Sequence, residues 1–294
     1  MAVQPLRFAA RGLTDVGRRR DHNEDALLVD EGLGLFVVAD GMGGHAGGGT
    51  ASRLAVETIR AEIERIRRDE PTLFGSDAEG EENPLPDVLG HAVECACAVI
   101  FERAQADADL TGMGTTVTAV LVDGRSAFIA HVGDSRAYLV RSGHIYQVTQ
   151  DHSLVAEQLR LGAISADEAR RSRFKNIITR SVGFEPSVLP DLMGLELEAG
   201  DAVLVCCDGL SNLVEDQEIQ RLVDSDRSGA PERLIDLANE RGGDDNITVA
   251  VIRFFEPGDP AEAALREPPV PSGRPAALDP DLELSGGDVV EPGG

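Results

Sequence analysis

The chain has 294 residues, with 52 Asp or Glu against 27 Lys or Arg, a formal net charge of −25. That length fits one large domain or two small ones, either able to bury a substantial core. The charge argues against nucleic acid and against an anionic membrane surface as main partners, because both are bound by basic surfaces. In chain order, Ala26–Val29 and Leu35–Ala39 predict strands, the second apolar on both faces. Thr50–Arg68 predicts an amphipathic helix, with Ala55, Ile59, Ile63 and Ile66 at helical spacing. Residues 69–90 hold seven acids and no base, which predicts a solvated acidic loop. Val88–Ala108 predicts a second helix through Leu89, Val93, Ala96, Ile100 and Ala104. Strands follow at Thr116–Val122, Ser126–Val132 and Arg136–Arg141, then a short helix at Leu154–Leu161. Ala202–Cys206 is another buried strand, Asp216–Val223 and Pro231–Glu240 are helices, and Asn246–Phe254 is the last strand.

These elements do not alternate as regular βαβ units, so an antiparallel α+β architecture is expected rather than a doubly wound sheet. Residues 257–294 hold 8 of the 15 prolines, 6 glycines, 8 acids and 2 arginines, the composition of a disordered tail. No apolar run approaches the ~18 residues of a membrane helix. Met1–Arg20 has no apolar signal segment, so a cytoplasmic protein is expected. The four cysteines, Cys95, Cys97, Cys206 and Cys207, lack CxxC spacing and read as buried small hydrophobes.

Outside the loop and the tail, the acids fall where strands end. Asp40 follows the strand ending at Ala39, and Asp134 sits in the turn between two strands. Asp208 follows Cys207, Asp244 and Asp245 precede the last strand, and Glu24 and Asp25 precede Ala26. Converging carboxylates raise one another's pKa unless cations neutralise them. Carboxylates and carbonyls suit Mg²⁺ or Mn²⁺, and no Cys/His set here has zinc spacing. The segment Asp40–Gly49 (DGMGGHAGGG) imitates a dinucleotide fingerprint. Asp40 would repel a pyrophosphate, however, and no acid ends a second strand about 20 residues on. A tight turn bringing the Gly41 carbonyl to a metal fits better. Arg20 offers a planar fork suited to a phosphate oxygen pair.

At these residues the sequence resembles the metal-dependent protein serine/threonine phosphatases of type 2C, in their bacterial form. The motifs run in order: Thr14–Gly17 with Arg20 and Asn23–Asp25, Ala39–His45, Gly112–Thr116, His131–Arg136, Thr149–Leu154, Asn176–Arg180, Cys207–Leu210 and Gly243–Thr248. The resemblance implies one domain over residues 1–256, a four-layer αββα sandwich of two packed antiparallel sheets flanked by helices. It implies two Mn²⁺ or Mg²⁺ ions and a labile third. Asp40 matches the ligand bridging both metals, Asp208 and Asp245 ligands of the first, and the Gly41 carbonyl a ligand of the second. Glu24 matches an acid acting through water. Asp25 matches a supporting acid, and Asp244 is grouped with it. Asp134, with Asp208, matches the third site, and Arg20 the phosphate-binding arginine. Residues 161–184 correspond to the variable flap, here basic through Arg170, Arg171, Arg173, Lys175 and Arg180. Met42 stands where some relatives carry a histidine proposed as general acid, which leaves that role unfilled; His45 and His131 read as structural.

The resemblance implies hydrolysis of phosphoserine and phosphothreonine in proteins by a metal-bridging water, opposing bacterial Ser/Thr kinases. The expected partners are phosphorylated proteins, and the expected state is a monomer. An inactive phosphoprotein-binding module is the alternative, which loss of metal ligands would signal. A dinucleotide-dependent oxidoreductase is a remoter one.

Overall fold

The structure, a computed structural model, describes residues 4–43, 47–75, 83–174 and 176–266. Its strands are β1 (Arg7–Asp15), β2 (Asp25–Asp30), β3 (Leu35–Met42), β4 (Gly114–Thr115), β5 (Val117–Asp123), β6 (Ser126–Val132), β7 (Arg136–Arg141), β8 (His144–Gln147), β9 (Asp191–Glu196), β10 (Ala202–Cys206) and β11 (Ile247–Phe255). Its helices are α1 (Gly47–Asp69), α2 (Leu85–Ala106), α3 (Leu154–Arg160), α4 (Ala166–Arg171), α5 (Asp208–Ser211), α6 (Asp216–Ser225), α7 (Ala230–Glu240) and α8 (Pro260–Arg266).

The strands form two antiparallel sheets, ordered β1-β11-β10-β7-β8 and β2-β3-β5-β6-β9, with β4 paired to β3. Side-chain alternation explains why the central strands are apolar throughout. In β3, Leu35, Val37 and Ala39 pack beneath α1 and α2, while Phe36 and Val38 face the other sheet. In β10, Ala202, Leu204 and Cys206 face α6 and α7, while Val203, Val205 and the following Cys207 face inward. Both faces of each sheet are therefore covered: helices, sheet, sheet, helices. This is the expected four-layer architecture.

The same alternation positions the acids. Asp40 shares the inward face of β3 with Phe36 and Val38, and it pairs in register with Asp25 of β2. Thr248 shares the inward face of β11 with Ile252 and Phe254. Residues 133–135 cross from β6 in one sheet to β7 in the other, and Gly133 at φ 113° makes that crossing. The acid-bearing ends thus gather at one end of the cleft between the sheets.

The elements depart from the sequence expectation at the sheet edges, at the start of α2 and at the start of the tail. β1, β8 and β9 were not expected as strands, and all three lie at sheet edges. α2 starts at Leu85, inside the expected acidic loop; residues 76–82 of that loop lie outside the described residues. Pro260–Arg266 is helical, where a disordered tail was expected to begin at Pro257. It packs on β1, with Glu262 3.4 Å from Arg7. The rest of the tail, residues 267–294, lies outside the described residues. Cys97, Cys206 and Cys207 are buried as expected, but Cys95 is half-exposed.

Candidate metal centre

Backbone hydrogen bonds fix Asp40 before its carboxylate is considered. Its N–H donates to Thr116 Oγ1 at 3.0 Å, and its carbonyl accepts from Thr116 N at 2.8 Å and Thr115 Oγ1 at 2.9 Å. Thr116 in turn bonds Ser135 at 2.8 Å, which ties β3 to the loop carrying Asp134. Donor atoms of Asp25, Asp40 and Cys207 lie within 4.8 Å of one another. Desolvation, and then the charges of Asp25, Asp208, Asp134 and Asp245, push the Asp40 carboxyl well above the ordinary range. Burial raises Asp25 against hydrogen bonds from Thr248 and Cys207 that pull it down. Burial and then Asp208 raise Asp134.

Two oxygens here lack a hydrogen-bonding partner. Of four buried side-chain atoms without one among the described residues, two are Glu24 Oε1 and Asp25 Oδ1. Leaving such an oxygen unpaired costs about 1–3 kcal/mol or more. The glycines leave room beside them. A Cβ on Gly41 would lie 2.1 Å from the Gly48 carbonyl oxygen and 2.5 Å from that of Glu24. A Cβ on Gly48 would lie 2.8 Å from Glu24 Oε1. Converging carboxylates, two of their oxygens unpartnered, in a cradle closed to side chains fit a hard divalent cation.

The structure brings together Glu24, Asp25, Asp40, Gly41, Asp134, Asp208 and Asp245. Asp245 accepts 2.7 Å from Arg20 Nη2 through Oδ2, while Asn212 Nδ2 reaches Asp208 Oδ2 at 3.0 Å. Desolvation opposes the Arg20 charge, but Asp245, Asp40 and Glu24 hold its pKa above the ordinary value. Arg20 therefore stands at the mouth of the carboxylate cluster. Asp244 does not join it. Neighbouring residues in the turn before β11 point opposite ways, and Asp244 is 66% exposed, 3.4 Å from Arg19. This corrects its expected supporting role beside Asp25.

Asn246 carries a role that the sequence reading left unstated. Its Oδ1 accepts from Glu24 N at 2.8 Å, and its Nδ2 donates to Val16 and His22 carbonyls at 2.9 and 3.0 Å. It staples the Arg20–Glu24 loop to β11. Thr248 Oγ1 donates to Asp25 Oδ2 at 2.6 Å, and Ser52 Oγ donates to the Glu24 carbonyl at 2.6 Å. The signal was available, since Asn246 and Thr248 lie in the Gly243–Thr248 motif. A neutral side chain offers no charge pattern to read, however. Cys207 is buried, and burial and then Asp25, Asp40 and Asp208 push its thiol well above the ordinary value, which disfavours the thiolate that a nucleophile needs. His131 is buried between Thr118 and the Gln150 carbonyl, 2.9 and 3.1 Å away, as a structural histidine. His45 lies outside the described residues.

Two packed antiparallel sheets with an acidic centre at one end of their cleft define a metal-dependent phosphatase architecture. The family model for protein phosphatase 2C matches residues 16–238, and the chain belongs to that family. Protein phosphatase PhpP of Streptococcus pneumoniae is 36% identical over 249 residues, 83% of this chain and 96% of that one. Serine/threonine phosphatase stp of Listeria monocytogenes is 37% identical over 250 residues, 81% of this chain and 93% of that one. The crystal structure of the Mycobacterium tuberculosis serine/threonine phosphatase PstP/Ppp superposes with a TM-score of 0.72 at 36% identity, covering 86% of this chain and 99% of that one. A structure of the PstP catalytic domain in complex with two manganese ions matches at 35% identity and a TM-score of 0.72, covering 86% of this chain and 100% of that one.

Proposed function

We propose that this protein hydrolyses phosphoserine and phosphothreonine in other proteins with two Mn²⁺ or Mg²⁺ ions and, more weakly held, a third. The observation that carries this reading is the set of buried, partnerless carboxylate oxygens of Glu24 and Asp25 around Asp40. When bound, the cations lower the pKa of a shared water and offset the charge of the transferring phosphoryl group. Asp40 would hold both ions, Asp208 and Asp245 the first, and the Gly41 carbonyl and Glu24, through water, the second. Asp134 with Asp208 would hold the third. Asp25 braces Asp40 from the paired strand, held in turn by Thr248.

Arg20 donates to phosphate oxygens. Nη2 carries its bond to Asp245, and a guanidinium has five N–H donors in a planar fork. Met42 cannot donate a proton, and burial holds His131 neutral, so neither protonates the leaving alkoxide. The metal-ligand positions are intact, which argues against the inactive-module alternative. The substrates are proteins phosphorylated by Ser/Thr kinases, the enzyme acts as a monomer, and its place is the cytoplasm. Among the described residues no helix is long and apolar enough to cross a membrane.

The test is hydrolysis of a phosphothreonine peptide and of p-nitrophenyl phosphate by metal-stripped protein, before and after Mn²⁺ addition. Turnover that depends on Mn²⁺ and stops with EDTA is expected. Metal-independent turnover would overturn the metal reading, and peptide binding without turnover would favour the inactive module.

A further inference from the structure

A second set of metal-ligating side chains lies on the outer face of the molecule, in the helical layer. Glu62 of α1 and His91 and Cys95 of α2 bring a carboxylate oxygen, an imidazole nitrogen and a thiol sulfur within 4.8 Å of one another. His91 and Cys95 are four residues apart on one helix and so share a face. His91 Nε2 lies 3.5 Å from Cys95 Sγ. Donors around a tetrahedral zinc, at 2.0–2.3 Å from the ion, are separated by about 3.3–3.8 Å. The three therefore need only small rotamer adjustments to share one ion.

The surroundings suit such an ion. Arg65 donates to Glu62 Oε2 from Nε at 3.0 Å and Nη2 at 2.8 Å, an outer contact of the kind that orients a metal-ligating carboxylate. With Cys95 as thiolate and Glu62 ionised, the charge of a divalent cation is balanced by its own ligands. Glu62 and Cys95 are half-buried and His91 is exposed, so water can complete the coordination and the ion has a path in. Mixed N, S and O donors select differently from the carboxylate-rich centre in the cleft. They favour Zn²⁺ over Mg²⁺, and Zn²⁺ over Mn²⁺.

We infer that Glu62, His91 and Cys95 form a zinc site that clips α1 to α2, separate from the metal centre in the cleft. It was hidden in the sequence because Glu62 and His91 come from different helices, and H-x-x-x-C alone is no zinc pattern. α1 is also the helix whose first turns carry Gly48 and Ser52, which brace Gly41 and Glu24. The clip therefore sits on an element that supports the cleft.

The test uses the full chain with its cleft saturated by Mn²⁺, dialysed against Zn²⁺, and compares wild type with Cys95→Ser and His91→Ala. The wild type is expected to retain about one zinc equivalent more than either variant. Its Tm should rise with Zn²⁺ by more than theirs. Because the cleft also accepts transition metals and contains Cys207, Co²⁺ substitution separates the two sites. A thiolate-to-cobalt charge-transfer band is expected in the wild type and in Cys207→Ser, and absent from Cys95→Ser. Equal zinc content in wild type and Cys95→Ser would overturn the inference, as would a cobalt–thiolate band that survives Cys95→Ser. Either result would leave His91 and Cys95 as an ordinary side-chain contact.

Discussion

In the cleft, Asp25, Asp40, Asp134 and Asp208 gather and raise the Asp40 carboxyl pKa, and Glu24 Oε1 and Asp25 Oδ1 have no hydrogen-bond partner among the described residues. Beside the same cleft, the loop 149–153 that moors the flap buries two imidazoles and leaves neither in want of a partner. His131 takes Thr118 and the Gln150 carbonyl; because that carbonyl only accepts, Nε2 carries the proton and Nδ1 accepts from Thr118. His152 accepts from Gly133 N at 3.0 Å and meets Asp191 at 3.1 Å, and the two rings lie tilted with centroids 4.9 Å apart. One region gathers acids that repel one another; the other satisfies its polar groups with its own hydrogen bonds. Function needs the first to be frustrated without its ions and the second to be rigid without them.

The largest break in that comparison is to neutralise the frustrated side. Asp40→Asn and Asp208→Asn should each lower Mn²⁺-dependent turnover by about 10³-fold, roughly 4 kcal/mol of barrier. The same Asp40→Asn replaces a buried carboxyl whose ionisation its neighbours oppose, so in EDTA its Tm should rise by about 2–4 °C. Steady-state kinetics and thermal unfolding on one preparation check both. A variant that keeps its activity would refute the ligand roles, and a Tm that falls in EDTA would refute the frustration.

The next effect tests the complete side. Burial, and then the neighbouring His152, lower the His131 pKa to about 4, against roughly 6.5 unfolded. The unfolded chain therefore binds more protons between those values, and stability is lost as pH falls from about 6.5 toward 4. Asp151, Asp191 and Arg180 also face the pair, and the acids of the centre titrate too. The informative quantity is therefore the difference from His131→Gln, which keeps a donor toward Gln150. Wild type should lose about 3 kcal/mol more than the variant over that range, measured by urea unfolding. Identical pH slopes would mean that His131 is not held neutral.

A smaller effect is expected at the mouth. Arg20→Ala removes a charged donor to the phosphate and should raise KM by about tenfold with a lesser change in kcat. An unchanged KM would make Arg20 only a partner of Asp245.

The legible parts of the molecule are those with strong periodicity or charge. Leu35–Ala39 and Ala202–Cys206 read as buried strands because both of their faces are covered. The acids at their ends pointed to the cleft. The strands at sheet edges were not legible. β8 carries exposed His144, Tyr146 and Gln147, and it is joined to β7 through Ser142 at φ 51° and Gly143, a turn its residues scarcely announce. β1 mixes Arg7, Arg11 and Asp15 with small residues, and its pairing with β11 spans more than 230 residues of chain. Asn246 escaped for a related reason, since its bonds to Glu24, Val16 and His22 exist only once the ends of the chain meet. Asp244 and Asp245 are alike as letters, and only the turn separates an exposed partner of Arg19 from a carboxylate paired with Arg20 at the cluster.

The smallest effect concerns the flap that the neutral mooring holds. Thr179 N donates to the His152 carbonyl at 2.8 Å, Leu154 N to the Ile177 carbonyl at 2.9 Å, and Val182 pairs with Thr115 beside the Asp40 backbone. Arg180 is fixed 2.5 Å from Asp191, so it is spoken for. Arg173, stacked over Phe174 at 4.8 Å, is not held by an acid among the described residues and remains available to a substrate. A basic segment on a chain of net charge −25 attracts a phosphorylated, acidic peptide without touching the chemistry. Replacing Arg170, Arg171 and Arg173 together by Glu should therefore lower kcat/KM for an acidic phosphopeptide by roughly fivefold at low salt, with the deficit shrinking as salt is added. Hydrolysis of p-nitrophenyl phosphate, which is too small to reach the flap, should stay within about twofold of wild type on the same argument. Equal losses on both substrates would mean that the change reached the centre through the mooring. The neutral region would then be a coupling element and not merely a support.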